Sequence, residues 1–320
     1  MHTNRAPIGG RLRSYTGKAM GIRPIVKLMR PLPLVIWSVP TVVLGFLLQS
    51  HPAQARWIAL ALAVVGALLL QGLITHGLND MFDWDSGTDQ ETTGIISGGS
   101  RVLVEGLMTR RQMWRVVFVA VGLYAVTAFG LFLLRGPLVW LWAGLGLWGA
   151  VSYSVPPLRL SYRPYLGEWL ALMPAMVSGV MLGGIASNAT PSWSLIWGAL
   201  IYGVFCVASV MQHHLSDIDA DWKARPRKRT TPAYWFHGLQ RNPVIVIMGY
   251  EILTGVLATL AAILVWWGFI WTLAMLLAAV WITVTTVVPA TPGRLTTRDL
   301  AIKILSLLNV MGLLALAQIH

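Results

Sequence analysis

The sequence predicts an all-α polytopic membrane protein, and three observations carry that reading. Hydrophobic residues fill 56% of the 320 positions, charged residues only 11%, and the mean hydropathy is +0.66. A soluble domain carries about 25% charged side chains. The apolar residues gather into nine runs of bilayer length, and the Lys and Arg sort to alternate junctions between those runs. A formal charge of +12 would otherwise point to nucleic acid, but membrane topology accounts for the basic residues and no nucleic-acid partner is expected. The single Cys206 excludes an internal disulfide and reads as a small core residue.

Residues 1–19 are polar and Gly-rich, with no apolar core of signal-peptide type. From Met20 to Met29, Ile22, Ile25, Val26 and Met29 recur at helical spacing between Arg23, Lys27 and Arg30. That pattern predicts a short amphipathic helix on an anionic membrane surface. Crossing a bilayer takes about 20 apolar residues. By that measure the spans are 32–49, 57–79, 116–134, 137–155, 168–188, 193–213, 243–266, 269–289 and 300–318. Short connections such as Arg135-Gly136-Pro137 make their flanking spans antiparallel neighbours.

Of the 24 Lys and Arg, 22 fall on one side of this arrangement, with only Arg56 and Arg135 on the other. The positive-inside rule puts the N-terminus in the cytoplasm of a multi-pass cell (inner) membrane protein and the C-terminus outside. Two units are expected: a cytoplasmic N-terminal segment, 1–30, and a single transmembrane domain, 31–320. Within the latter, Asp80 ends the second span and Asp217 ends the sixth, four spans apart. This weak repeat predicts two four-helix units plus a ninth helix, around a central cavity with cytoplasmic cap loops.

Acids are scarce, twelve in all, and seven are aspartates packed into two short segments. Asp80, Asp83, Asp85 and Asp89 follow the second span; Asp217, Asp219 and Asp221 follow the sixth. Carboxylates beside hydrocarbon persist mainly where they bind or pair. On a helix, Asn79, Asp80 and Asp83 share a face, as do Asp217 and Asp221. Carboxylate and amide oxygens are hard ligands of the kind Mg²⁺ takes, usually one or two carboxylates completed by water and substrate phosphate. Asn79, Asp80, Asp83, Asp217 and Asp221 are therefore the expected metal ligands, holding Mg²⁺ on a diphosphate. Arg101, Lys223, Lys228 and Arg229 would neutralise the remaining charge. Metal and cations on a leaving diphosphate permit ionisation of a C–O bond. The plainer reading, helix caps and solvated loops, suits Asp85, Asp89 or Asp219 singly. It does not suit two clusters in a chain so poor in acids.

Asn79-Asp80-x-x-Asp83, Gly87-x-Asp89 and Gly98-Gly99-Ser100-Arg101-Val102-Leu103-x-x-Gly106 together resemble motifs of the UbiA superfamily of intramembrane prenyltransferases. The likeness is nearest to the branch that acts on 1,4-dihydroxy-2-naphthoate in menaquinone synthesis. Tyr153-Ser154-x-Pro156-Pro157-Leu158-Arg159-Leu160-Ser161-Tyr162-Arg163 is similar to that branch's loop after the fourth span. Asp217-x-x-x-Asp221-x-Lys223-Ala224 and Lys228-Arg229-Thr230 resemble its second aspartate motif. The resemblance implies Mg²⁺-dependent transfer from a polyprenyl diphosphate to a lipophilic aromatic acceptor such as a quinone precursor, inside membrane lipid. It adds Tyr153, Arg159 and Arg163 to the residues assisting the diphosphate, Arg159 also as a catalytic residue. Where that branch usually shows Asn-Asn-x-Arg, this chain has His213-His214-Leu215-Ser216; an extra Arg225-Pro226 and the turn Arg163-Pro164-Tyr165-Leu166 also depart from it. A cyclase on the same scaffold, closing the ionised chain on itself, is the nearest rival. A transporter is the more distant one, since the clusters sit at helix ends.

His213 and His214 could take a proton from an acceptor, or simply bond a neighbouring loop. His76, four residues before Asp80, reads as support for that carboxylate. Glu251 falls inside the seventh span, where an acid is either functional or paired with Lys303 or backbone. The sixteen Trp read as interface belt and core.

Overall fold

The computed structural model describes residues 21–49, 56–92, 98–188 and 190–317. The polar segment 1–19, and with it four of the basic residues used for topology, lies outside the described residues, as does Met20. Among the described residues the chain is all helix and connecting loop, with no strand.

Ile22–Met29 forms α1, the expected amphipathic helix, with Ile22 and Val26 exposed and Leu28 buried. Arg30 takes a left-handed backbone (φ 50°) and bends the chain by 50° into α2, Pro31–Leu47. There follow α3 (Arg56–Ser86), α4 (Arg110–Arg135), α5 (Leu138–Ser154), α6 (Glu168–Ser187), α7 (Trp193–Lys223), α8 (Val244–Leu264), α9 (Trp267–Val284) and α10 (Pro292–Ala317). Seven of the described helices are long and apolar enough to cross a membrane, and eight if the bent pair α1–α2 counts as one span. The expected fourth span is the apolar helix α5, which at 17 residues is shorter than that. Large apolar side chains cover the outside of the bundle: Ile263 and Leu277 are each 75% exposed. Such a surface is stable only in hydrocarbon. The protein is a multi-pass membrane protein.

Two elements join the halves of the bundle. Side chains of α1, α3, α4 and α5 make one apolar core, and those of α7 to α10 make others; α2 and α6 contribute to both. Where α2 crosses α6, a Cβ added to Gly45 would lie 1.8 Å from the Val180 carbonyl oxygen, and one added to Gly183 would lie 2.0 Å from that of Val42. Hydrocarbon provides no hydrophobic drive between helices, so close backbone contact through small residues takes over.

The helices that carry the aspartates are the long ones. At 31 residues each, α3 and α7 run about 46 Å, well beyond the roughly 30 Å hydrocarbon core. The surplus carries Asn79–Ser86 and Leu215–Lys223 past the apolar layer at the same end of the bundle. Wider π turns interrupt α2 at Leu34–Ser38 and α3 at Leu70–Thr75, and one opens α6 at Glu168–Leu172. Each supplies side chains to the cavity described next, a placement common for such turns.

Candidate active site

The first aspartate helix holds its carboxylates in place through distant partners. Asp80, 2% exposed, accepts from the Arg30 guanidinium, from the Ser100 hydroxyl and from the Ser100 backbone N–H at 3.0 Å. That loop turns back through Gly98 and Gly99 with φ of 80° and 74°, a region in which glycine carries no steric penalty. A Cβ on Gly99 would stand 2.4 Å from Asp89 Oδ2 and 2.9 Å from Asp80 Oδ1. Bare backbone thus cradles two carboxylates. Burial, then the charges of Asp83 and Asp80, push the Asp89 carboxyl well above its ordinary value.

Asp83 lies one turn further on. It accepts from Asn79 Nδ2 at 2.8 Å, Tyr162 OH at 3.2 Å and Lys228 Nζ at 2.7 Å. The same ammonium lies 3.6 Å from Asp221 Oδ1 on the second aspartate helix, whose other oxygen takes a 2.9 Å bond from the Thr230 hydroxyl. One cation therefore joins the two motifs. Burial alone would lower the Lys228 ammonium, but Asp83 and Asp221 outweigh it and hold its proton well above the usual range. Burial, and then the Asp83 charge, likewise raises the Tyr162 phenol.

Behind these groups opens a cavity of about 470 Å³. Lys27, Arg30, Asn79, Asp83, Asp89, Asp217 and Lys228 line its polar end, together with Tyr153, His213 and His214. The wall then runs between α3, α4, α5 and α6 over Ala67, Ala63, Gly146, Ala128 and Leu131. From Asn79 to Ala63 on α3 that is about 24 Å of helix. An anion-sized pocket is joined to a long apolar slot.

The UbiA prenyltransferase family aligns with residues 38–315, most of the chain. The chain belongs to the UbiA prenyltransferase family. It is accordingly an enzyme of prenyl transfer. Among curated proteins, the lycopene elongase/hydratase of Corynebacterium glutamicum is 25% identical over 204 residues, 63% of this chain and 67% of that protein. Among solved structures, a UbiA homolog from Archaeoglobus fulgidus bound to DMAPP and Mg²⁺ superposes with a TM-score of 0.69 at 16% identity. It covers 91% of this chain and 99% of its own. The same homolog bound to GPP and Mg²⁺ gives 0.68.

In this UbiA-family chain the predicted residues divide by position. Asn79, Asp83, Asp217, Lys228 and Tyr153 line the cavity. Asp80 and Asp221 stand just behind, 2% and 1% exposed. Arg101, Arg159, Arg163, Lys223 and Arg229 do not reach the wall. Arg159 instead stacks over Phe82 and Tyr162, 5.5 and 5.3 Å from the ring centroids, and Lys223, Arg163 and Arg229 are exposed. Lys27, Arg30, Ser100 and Thr230 were not anticipated; three of them contact aspartates from up to 50 residues away. Lys27 and Arg30 belong to the basic amphipathic segment, and Ser100 and Thr230 stand inside the Gly-Gly-Ser-Arg and Lys-Arg-Thr motifs, with no role in the site assigned to them there. His76 does not touch Asp80: its Nδ1 lies 3.0 Å from the Met29 carbonyl, tying α1 to α3. Glu251 pairs with the Thr283 hydroxyl at 2.7 Å rather than with Lys303. Asp85 and Asp219 pair at the surface with Arg110 and His237.

Proposed function

We propose that this protein transfers a prenyl chain from a polyprenyl diphosphate to an electron-rich double bond of a lipophilic acceptor, in a Mg²⁺-dependent reaction. The observation that carries the reading is Lys228, whose single ammonium contacts carboxylates of both aspartate motifs at the head of an apolar slot. Among the described residues no three acidic, thiol or imidazole groups stand close enough to cage an ion unaided. That fits Mg²⁺, which fills much of its shell with phosphate and water. The donor set fits too: Asn79, Asp80, Asp83, Asp217 and Asp221 offer hard oxygens, and Asp89 joins them across the Gly99 cradle.

Bound Mg²⁺ would supply charge neutralisation of the departing diphosphate. The chain's own groups do the rest. Arg30 and Lys228, now held by carboxylates, are placed to turn donors toward the diphosphate oxygens, and Lys27 lines the same end. The apolar slot keeps water from the allylic carbon while the acceptor approaches. Arg159 packs over Phe82 and over Tyr162, which donates to Asp83, a structural part in place of the diphosphate clamp expected from the loop motif. The basic residues at this end of the bundle support a cytoplasmic site with the C-terminus outside.

A polyene acceptor is the reading favoured by the lycopene elongase/hydratase relatives and by His213-His214 standing where the naphthoate branch usually shows Asn-Asn. An aromatic acceptor of the dihydroxynaphthoate type is the second, favoured by the Tyr153–Arg163 motif. Purified protein with geranylgeranyl diphosphate and Mg²⁺, offered lycopene or 1,4-dihydroxy-2-naphthoate, separates them by the mass of the product. Asp80→Ala and Asp217→Ala should each cut turnover by at least about 100-fold, the size of a lost charge-stabilising group. Near-normal activity in either would defeat the assignment.

A further inference from the structure

His213 and, from α10, Lys303 both line the cavity, and α10 sets Asp299 behind them. The His213 Nδ1 lies 2.9 Å from Asp299 Oδ2 and 3.2 Å from Lys303 Nζ, and Lys303 also bonds Asp299 directly. Asp299 is 1% exposed and Lys303 3%. Lys303 further sits 5.1 Å from the ring centroid of Trp37, which lines the cavity. An ammonium cannot accept a proton and a carboxylate cannot donate one. The assignment consistent with these contacts has Asp299 Oδ2 accepting from both Nδ1–H and Lys303. That fixes the imidazole tautomer and leaves the Nε2 lone pair as the ring's free acceptor.

We propose that His213 is the catalytic base of the transfer, with Asp299 and Lys303 as its positioning residues; this rests on the prenyl-transfer reading above. When the donor's C1–O bond breaks, its electron pair leaves with the diphosphate. The acceptor's double-bond pair then forms the new C–C bond to C1 and leaves a cation on the acceptor. His213 Nε2 takes the proton from the carbon beside that cation, and the C–H pair restores the double bond. The imidazolium is stabilised by Asp299 until its proton passes to solvent. The base is needed after ionisation, so its loss uncouples the two halves of the reaction.

The test uses the full-length protein in lipid nanodiscs with geranylgeranyl diphosphate, Mg²⁺ and each of the two acceptors, measuring released diphosphate and transferred prenyl product together. In His213→Gln, transfer should fall about 100-fold, the usual share of a general base. Diphosphate release should fall far less, the difference appearing as prenyl alcohol. Asp299→Asn should behave alike, and Asp299→Glu should recover coupling. Product and diphosphate falling in equal proportion, or neither falling, overturns the proposal. Ring ¹⁵N resonances of His213, assigned by its loss in His213→Gln, give a second measurement that needs no turnover. A protonated Nδ1 with a bare Nε2, reversed in Asp299→Asn, is the expected result, and a protonated Nε2 in the wild type overturns it. Failure of the wild type to release diphosphate from any donor would instead strike at the transfer reading, and the ¹⁵N result would still decide the dyad.

Discussion

Lys228 ties the two aspartate motifs together, and two buried carboxylates depend on its charge. Removing one partner of a buried ion pair strands the other, typically at 3–5 kcal/mol. Lys228→Met should therefore destabilise the detergent-solubilised protein by about 3 kcal/mol, read as a lowered unfolding midpoint. An unchanged midpoint would show that Asp83 and Asp221 are held by something else. Asp89 acts in the opposite sense. Its carboxyl is held above the ordinary range by burial and by Asp83 and Asp80, so the folded state binds a proton that the unfolded chain gives up sooner. Stability from this group is present at low pH and is lost as pH rises from the ordinary carboxylate value through the raised one. Asp89→Asn should abolish that fall and raise the metal-free midpoint, while slowing turnover, the exchange often seen at active sites. Thermal unfolding between pH 4 and 8 measures both. At this scale the aspartates were legible from scarcity alone. Of the predicted cations only Lys228 reaches the cavity: loop Lys and Arg also set topology, and spacing does not say which ones turn inward. Arg30 reaches Asp80 across 50 residues, a contact only the fold can make.

Helices are most legible where hydropathy is long and unbroken, and α3, α7 and α8 lie where the apolar runs put them. What the runs conceal is every change of axis. The left-handed Arg30 that bends α1 from α2, and the π turns in α2, α3 and α6, shift register by one residue without altering composition. A period-of-3.6 pattern over an apolar stretch has no polar face to reveal the slip. Crossing points are equally hidden, since a glycine in a membrane run reads the same whether it meets lipid or backbone. The α2–α6 contact makes the distinction testable. Gly183→Ala would drive a methyl group to 2.0 Å of the Val42 carbonyl oxygen, whereas a Cβ at Gly249 in α8 meets nothing within 4 Å. Gly183→Ala should lower the unfolding midpoint and the yield of folded protein, with loss on the scale of overpacking, about 1–3 kcal/mol. Gly249→Ala should be neutral or stabilise by up to about 1 kcal/mol through helix propensity. Equal behaviour of the two would mean that α2 and α6 do not cross closely.

For the whole molecule, the arrangement separates charge from chain length. Both long helices lift their carboxylates beyond the apolar layer, while the cavity descends beside the same α3 helix into it. On the proposed reading, diphosphate chemistry is confined to one end, and the depth of the slot decides which donors fit. Ala67 lies on the wall twelve residues before Asn79, about 18 Å down the helix. Filling that level should leave the polar end untouched and exclude only the far part of a long prenyl tail. Ala67→Trp should therefore keep release of diphosphate from geranyl diphosphate within about threefold of wild type. It should reduce release from geranylgeranyl diphosphate by tenfold or more, since each buried methylene lost from an apolar slot is worth about 0.8 kcal/mol. Parallel initial rates with the two donors measure it. A uniform loss with both would place the tail elsewhere in the bundle, and with it the path by which the acceptor enters.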